Sequence, residues 1–213
     1  MLPFALLTIA STAALLVAER RDQRAGVWIF KPLAAIGFIG TALANGALGS
    51  IYGVWILAGL VLSFAGDVLL IPRDAKRSFL AGLVSFLLGH VAYTGAFALR
   101  GLDPVATAIG AVPVAAASLL ALRYLWPHVQ AKAPKLQWPV LAYVAVISTM
   151  LVCAAGASAR VADPWILVGA IAFYVSDLAV ARQRFVAQDF SNKLWGLPLY
   201  FGAQLVLAAT VAP

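Results

Sequence analysis

Charge is scarce in this sequence. Of 213 residues only 11% are Asp, Glu, Lys or Arg, while 63% are hydrophobic. A soluble domain carries about 25% charged and about 45–50% apolar residues. With a mean hydropathy of +0.96, an ordinary water-soluble fold is excluded. There is one cysteine, Cys153, inside an apolar run, so no internal disulfide can form and the redox compartment is left undefined. There are two histidines, few for a zinc site, which usually takes three or four His, Cys or carboxylate ligands. No G-x-S-x-G nucleophile elbow is present. Strand-type alternation is also missing, which removes a membrane barrel. No soluble domain and no low-complexity linker interrupt the apolar sequence.

What remains is a series of long Ala/Leu/Val-rich runs, which must be helices because a membrane core satisfies no exposed backbone group. The expected fold is all-α, a multi-pass bundle of eight transmembrane helices forming one domain over 1–213. The spans fall at roughly 2–18, 27–45, 51–70, 78–98, 104–123, 138–156, 165–181 and 194–211, each near the ~20 residues that a bilayer requires. The first run is followed, not preceded, by Arg20 and Arg21, so it reads as a retained span and not as a cleaved signal. His128, in Trp126-Pro127-His128, is expected in a loop.

The net charge of +7 could suggest nucleic acid, but its distribution argues against that partner. Arg20, Arg21, Arg24, Arg73, Lys76, Arg77, Arg123, Lys132, Lys135, Arg182, Arg184 and Lys193 all fall on one side of the alternating spans. Only Arg100 and Arg160 fall on the other, and Lys31 lies inside span 2. By the positive-inside rule the first group is cytoplasmic and both termini face outward. The protein is expected in the cell membrane, the inner one if bacterial, with no obligatory protein partner.

The two halves read as a weak parallel repeat. Asp67 ends span 3 and Asp177 ends span 7, and the next span carries Gly82-Leu83 or Gly196-Leu197. Eight residues beyond each glycine stands a polar residue, His90 or Gln204. Lys31-Pro32 and Trp138-Pro139 match loosely near the starts of spans 2 and 6. A four-helix offset preserves orientation and implies a 4+4 arrangement about an axis along the membrane normal, with the two carboxylates approaching across it. Gly49-x-x-x-Gly53 fits a helix-packing motif.

Asp67 and Asp177 are the residues that most need explaining. A carboxylate at the centre of a membrane helix costs about 2.5–3.5 kcal/mol on insertion scales. Either each lies near a helix end and reaches water or a lysine, or the pair forms a site. At 1.5 Å per residue both lie roughly 5–7 Å inside the boundary, near Lys31, Tyr143 and Tyr200, with Gln204 and His90 deeper. Such groups must face one another or a wet cavity. Lys31 could hold a substrate phosphate, pair with an aspartate or snorkel to the surface. Tyr93, Tyr143 and Tyr200 are either packing aromatics or cavity-lining hydroxyls. His90 is either a core histidine or an orienting partner of an aspartate; His90, Asp67 and Asp177 together could also hold a metal.

At these residues the sequence resembles the YhhN family of membrane proteins, whose characterised members are lysoplasmalogenases. The matching pieces are Lys31-Pro32-Leu33, Gly66-Asp67-Val68-Leu69-Leu70 and Phe79…Gly82…Phe86…His90…Tyr93. To these are added Gly169-Ala170…Phe173…Ser176-Asp177…Phe185 and Tyr200…Gln204. Gly202-Ala203 departs from the bulkier approach to the glutamine expected there. The resemblance implies that Asp67 and Asp177 are catalytic and that the substrate is a lysophospholipid among membrane lipids; Lys31, His90, Tyr93, Tyr143, Ser176, Tyr200 and Gln204 are the candidate substrate-binding residues around the pair.

The implied reaction is hydrolysis of a vinyl ether to a fatty aldehyde and glycerophosphoethanolamine or glycerophosphocholine. It needs a proton donor to carbon and a negative group that stabilises the resulting cation, roles that two carboxylates can divide; no metal and no cofactor is expected. Ser176 could offer a hydrogen bond favouring a charged neighbour, which would make Asp177 the base and Asp67 the acid. The alternative function is a proton-coupled transporter of a small molecule or lipid using the same aspartates, although carriers place their polar centre nearer the midplane.

Overall fold

The computed structural model describes residues 2–72 and 75–212. Among these residues there are eight α-helices and no strand. They are α1 (Leu2–Arg20), α2 (Arg24–Ala44), α3 (Ile51–Leu69), α4 (Lys76–Leu99), α5 (Pro104–Lys132), α6 (Gln137–Val161), α7 (Pro164–Ala181) and α8 (Phe190–Ala209). A π-helical turn, Arg182–Val186, prolongs α7. Seven helices, α1 to α7, are long and apolar enough to cross a membrane. Helix α8 has the length but a more polar sequence, with Asn192, Lys193 and Gln204 among its residues. Arg73, one of the expected one-sided charges, lies outside the described residues.

Local chemistry fixes several helix starts. Asp103 and Asp163 each precede a proline, and their side chains accept from the backbone N–H of Ala106 and Trp165. An N-cap aspartate supplies an acceptor for an orphan donor, and proline at the first helical position gives up no bond. One boundary differs from expectation. Helix α5 does not stop near residue 123 but runs to Lys132, so His128 is helical and not in a loop; its Nδ1 lies 3.2 Å from the Tyr124 carbonyl. Pro127 removes one ladder bond without ending the helix, as Pro32, Pro113 and Pro198 do elsewhere in the bundle.

Consecutive helices pack antiparallel except for α4 and α5, and α4–α6, α1–α8 and α2–α8 contacts close the bundle. Helix α5 packs on α6 and the π turn and buries little besides Val114, Leu125 and Val129. The core holds Phe38, Ile56, Leu60, Phe97, Met150, Phe173 and Phe201. One end carries the 21–23, 133–136 and 182–189 connections and most of the lysine and arginine of the described residues; Lys193 and Glu19 form an ion pair there. The opposite end is fastened by Arg100, whose guanidinium lies 3.9 Å from the Tyr52 ring centroid. Arg100 Nη2 donates to the Thr210 carbonyl at 3.1 Å, the Tyr52 and Thr210 hydroxyls are 2.7 Å apart, and Asn45 Nδ2 donates to the Ala208 carbonyl at 3.2 Å.

Close approach depends on glycine at the joint between α3 and α4. A Cβ on Gly66 would lie 2.6 Å from the Phe86 ring. The Gly49-x-x-x-Gly53 pattern, by contrast, is not a helix-packing motif: Gly49 lies in a 3-10 turn with open space beside it, and Gly53 abuts the backbone of Ala47 in that same turn. Gly66→Ala is therefore expected to cost about 1–3 kcal/mol through overpacking, whereas Gly49→Ala leaves stability within error. Thermal unfolding in detergent micelles distinguishes the two variants.

Candidate functional site

Asp67 stands in the last turn of α3, where the final carbonyls of the helix lack intrahelical donors. Its side chain is only 2% exposed. Lys31, on α2 immediately before Pro32, reaches across to satisfy both charges. Its Nζ lies 3.2 Å from Asp67 Oδ1 and donates to the Asp67 backbone carbonyl at 3.1 Å. Among the three options open for Lys31 in the sequence, the aspartate pair is the one formed. From α8, the Tyr200 hydroxyl donates to Asp67 Oδ2 at 2.6 Å.

Asp177, near the end of α7, has a different setting. Its side chain is 16% exposed. The Tyr143 hydroxyl, from α6, donates to Oδ2 at 2.7 Å. No lysine or arginine pairs with it among the described residues; what faces it is His90, whose Nε2 is 3.5 Å from the same oxygen and makes no hydrogen bond. The His90 ring is wholly buried, and its Nδ1 lies 2.6 Å from the Phe86 carbonyl oxygen. A carbonyl can only accept, so Nδ1 carries the hydrogen and the neutral ring points the Nε2 lone pair at Asp177. Ser176 gives Asp177 nothing: its Oγ donates to the Phe173 carbonyl at 2.7 Å. The expected reason for keeping Asp177 charged is thus absent, while Asp67 has a cation beside it.

The two settings meet at Phe173. Its ring centroid is 4.5 Å from that of His90 and 5.5 Å from that of Tyr200. Tyr200 also meets the Phe86 ring edge-on at 5.8 Å. The carboxylates are therefore joined through Tyr200, Phe173 and His90. Tyr93 and Gln204 lie behind the same ring: Tyr93 meets Phe173 edge-on at 6.0 Å, its hydroxyl donates to Gln204 Oε1 at 2.6 Å, and both residues are fully buried. They brace α4 against α8 behind the site. Among the described residues no three His, Cys, Asp or Glu side chains converge as a metal would require.

Two features were not anticipated. Phe173 had a signal, since it precedes Asp177 by four residues and so shares its helix face. A hydroxyl cluster of Ser118, Ser148 and Tyr174, with oxygens 2.8 and 2.9 Å apart, links α5, α6 and α7; nothing in the spacing of those residues singles it out.

Removing one partner of a buried ion pair leaves an uncompensated charge. Lys31→Met should lower stability by about 3–5 kcal/mol, and the double variant Lys31→Met with Asp67→Asn should regain much of the loss. Chemical unfolding in mixed micelles measures both.

The sequence profile of the YhhN family matches residues 26–211. The chain is 33% identical over 163 residues to a lysoplasmalogenase of Mycobacterium bovis, covering 73% of this chain and 59% of the relative. It is 31% identical over 188 residues to human lysoplasmalogenase TMEM86A, covering 85% and 72%. To mouse lysoplasmalogenase TMEM86B it is 33% identical over 156 residues, covering 72% and 62%. The alignment thus spans about 59% of the length of the mycobacterial relative. No solved structure matches the chain. With Asp67, Asp177 and their polar partners all inside the matched region, the chain belongs to the YhhN family.

Proposed function

We propose that this protein hydrolyses the vinyl ether bond of a lysoplasmalogen, with Asp177 as the proton donor to carbon and Asp67 as the permanent anion. The observation that carries the reading is the unequal setting of two membrane-buried carboxylates. Asp67 has a lysine cation at 3.2 Å and a tyrosine hydroxyl at 2.6 Å, both of which favour the ionised form. Asp177 has no cation and faces a lone pair on His90 Nε2 at 3.5 Å. Two lone pairs turned toward each other repel, which favours the protonated form of Asp177. The names of the family relatives, lysoplasmalogenases of bacterial and mammalian origin, support the same substrate class.

The chemistry balances without a nucleophile. Asp177 transfers its proton to the β-carbon of the vinyl ether, leaving an oxocarbenium ion beside the new carboxylate. A negative site stabilises that cation most strongly where water is excluded. Water adds to the cationic carbon and gives up a proton to a carboxylate, forming a hemiacetal. Its C–O bond to glycerol then breaks, releasing a fatty aldehyde and the glycerophospho-alcohol. The proton given up by the water returns to Asp177, restoring the acid, whose O–H faces His90 Nε2. The net change is one water consumed per ether cleaved.

The architecture suits a 4+4 repeat within one eight-span membrane domain. Asp67 on α3 is bonded from α2 and α8, and Asp177 on α7 is met from α6 and α4. Exchanging the halves maps one set of helices onto the other. We take the lysine-rich end as cytoplasmic and both termini as external, on the charge asymmetry of the connections.

Asp67→Asn and Asp177→Asn are each expected to lower kcat for lysoplasmalogen by at least about a thousandfold; Asp177→Asn should retain its unfolding behaviour, whereas Asp67→Asn leaves the Lys31 charge uncompensated and loses stability as well. The double variant should be little worse than either single one, since groups acting as a unit are not additive. Aldehyde release measured with purified protein decides this; full activity in either variant ends the two-carboxylate mechanism. For sidedness, single cysteines introduced into a Cys153→Ala background at 72 and 187 should label from the cytoplasmic side, and one at 46 from the other. Labelling of all three from one side contradicts the orientation.

A further inference from the structure

The π turn after α7 crosses the basic end of the bundle close to Asp177, and three elements hold it. Arg182 Nη1 donates to the Tyr124 hydroxyl of α5 at 2.8 Å, and Lys132 Nζ donates to the Val186 carbonyl at 2.8 Å. From α8, Asn192 accepts from Arg182 Nε at 3.1 Å and donates to the Ala187 carbonyl at 2.8 Å. Phe185 is buried with Leu125, Val129 and Val140 beneath it. The third tie reaches α4: the Arg184 guanidinium lies over the Phe79 ring, 4.3 Å from its centroid.

Arg184 differs from the other bases of this turn in having nothing to bond. Its side chain is exposed, and its N–H edges meet no acceptor among the described residues. Stacking on Phe79 fixes the plane of the guanidinium while leaving its fork of donors open, a preorganised form that suits bidentate binding of a phosphate. Its place is equally specific. Phe79 shares one stripe of α4 with Phe86 and His90, since 7 and 11 residues are near-whole numbers of helical turns. Arg184 follows Asp177 by seven residues, which corresponds to about 10 Å along the axis at helical rise. The span from the vinyl ether through glycerol to the sn-3 phosphate is shorter than that, and the long arginine side chain supplies the remaining reach.

We infer that Arg184, held flat on Phe79, binds the phosphate of the substrate's head group and so selects phosphate-bearing lysolipids over neutral glyceryl ethers. This rests on the lysoplasmalogenase reading for the substrate, but not for the binding chemistry. Neighbouring charge agrees: Arg182 and Lys132 flank the position, and Asp189 is occupied with the Ser191 backbone N–H at the start of α8.

The test uses the full chain in detergent, with an unreactive saturated 1-O-alkyl lysophospholipid and its neutral counterpart, 1-O-alkylglycerol, of equal chain length. Arg184→Gln should weaken binding of the phospholipid about tenfold or more, as loss of a charge-assisted hydrogen bond does, and leave the neutral ligand unchanged. Arg184→Lys should recover part of the affinity, and its charge controls for any loss of folding. With the alkenyl substrate, KM should rise in Arg184→Gln while kcat holds. Equal loss for both ligands, or no loss for either, overturns the assignment. Phosphate-dependent binding together with no aldehyde release from the wild type would sustain the subsite and refute the hydrolase.

Discussion

A carboxylate inside hydrocarbon must find a partner, and the Lys31–Asp67 pair is the contact around which this fold is arranged. It ties α2 to the last turn of α3, and Tyr200 brings α8 to the same oxygen pair. Helices that share one buried charge cannot slide past each other without exposing it. The close packing of α3 on α4 through Gly66 and Phe86 then sets the height of His90, because the Phe86 carbonyl holds its Nδ1. Electrostatic need in one half thereby positions the imidazole that faces the carboxylate of the other.

The asymmetry between the carboxylates follows from their neighbours and not from their own sequence context. Gly66-Asp67-Val68 and Ser176-Asp177-Leu178 look alike in the chain, each an aspartate near the end of an apolar helix. One acquires a cation and the other a tyrosine and a histidine lone pair. Unequal neighbours around two similar carboxylates are a simple route to two groups of different character, because environment separates chemically identical side chains.

Much of this was legible in the sequence. Apolar runs located eight helices, with ends shifted by a few residues, because hydrophobic length is a direct image of membrane thickness. Asp67, Asp177, Lys31, His90, Tyr143 and Tyr200 stood out as polar groups without an apolar reason, and the structure brings all six into the two linked settings. What failed depended on distant partners. The length of α5 was hidden by Pro127, which reads as a helix end in the sequence, although this bundle also carries Pro32, Pro113 and Pro198 inside helices. Ser176 beside Asp177 suggested a hydrogen bond, yet a serine in a helix readily turns to its own backbone, here the Phe173 carbonyl. Gly49 and Gly53 matched a packing motif because spacing alone cannot tell a helix face from a turn.

The two ends of the bundle are unlike. Arg100, Tyr52, Thr210 and Asn45 stitch one end shut across four helices, whereas Asp177 retains some exposure toward the other. If the proposed hydrolysis takes place here, this inequality has a consequence for traffic. Both products would leave by the unfastened end, and they have opposite tastes in solvent. The water-loving alcohol can diffuse straight outward. The aldehyde keeps its tail in oil and must slip sideways between helices or turn at the rim, so clearance of the tail, and not of the head, governs how soon the next molecule can enter.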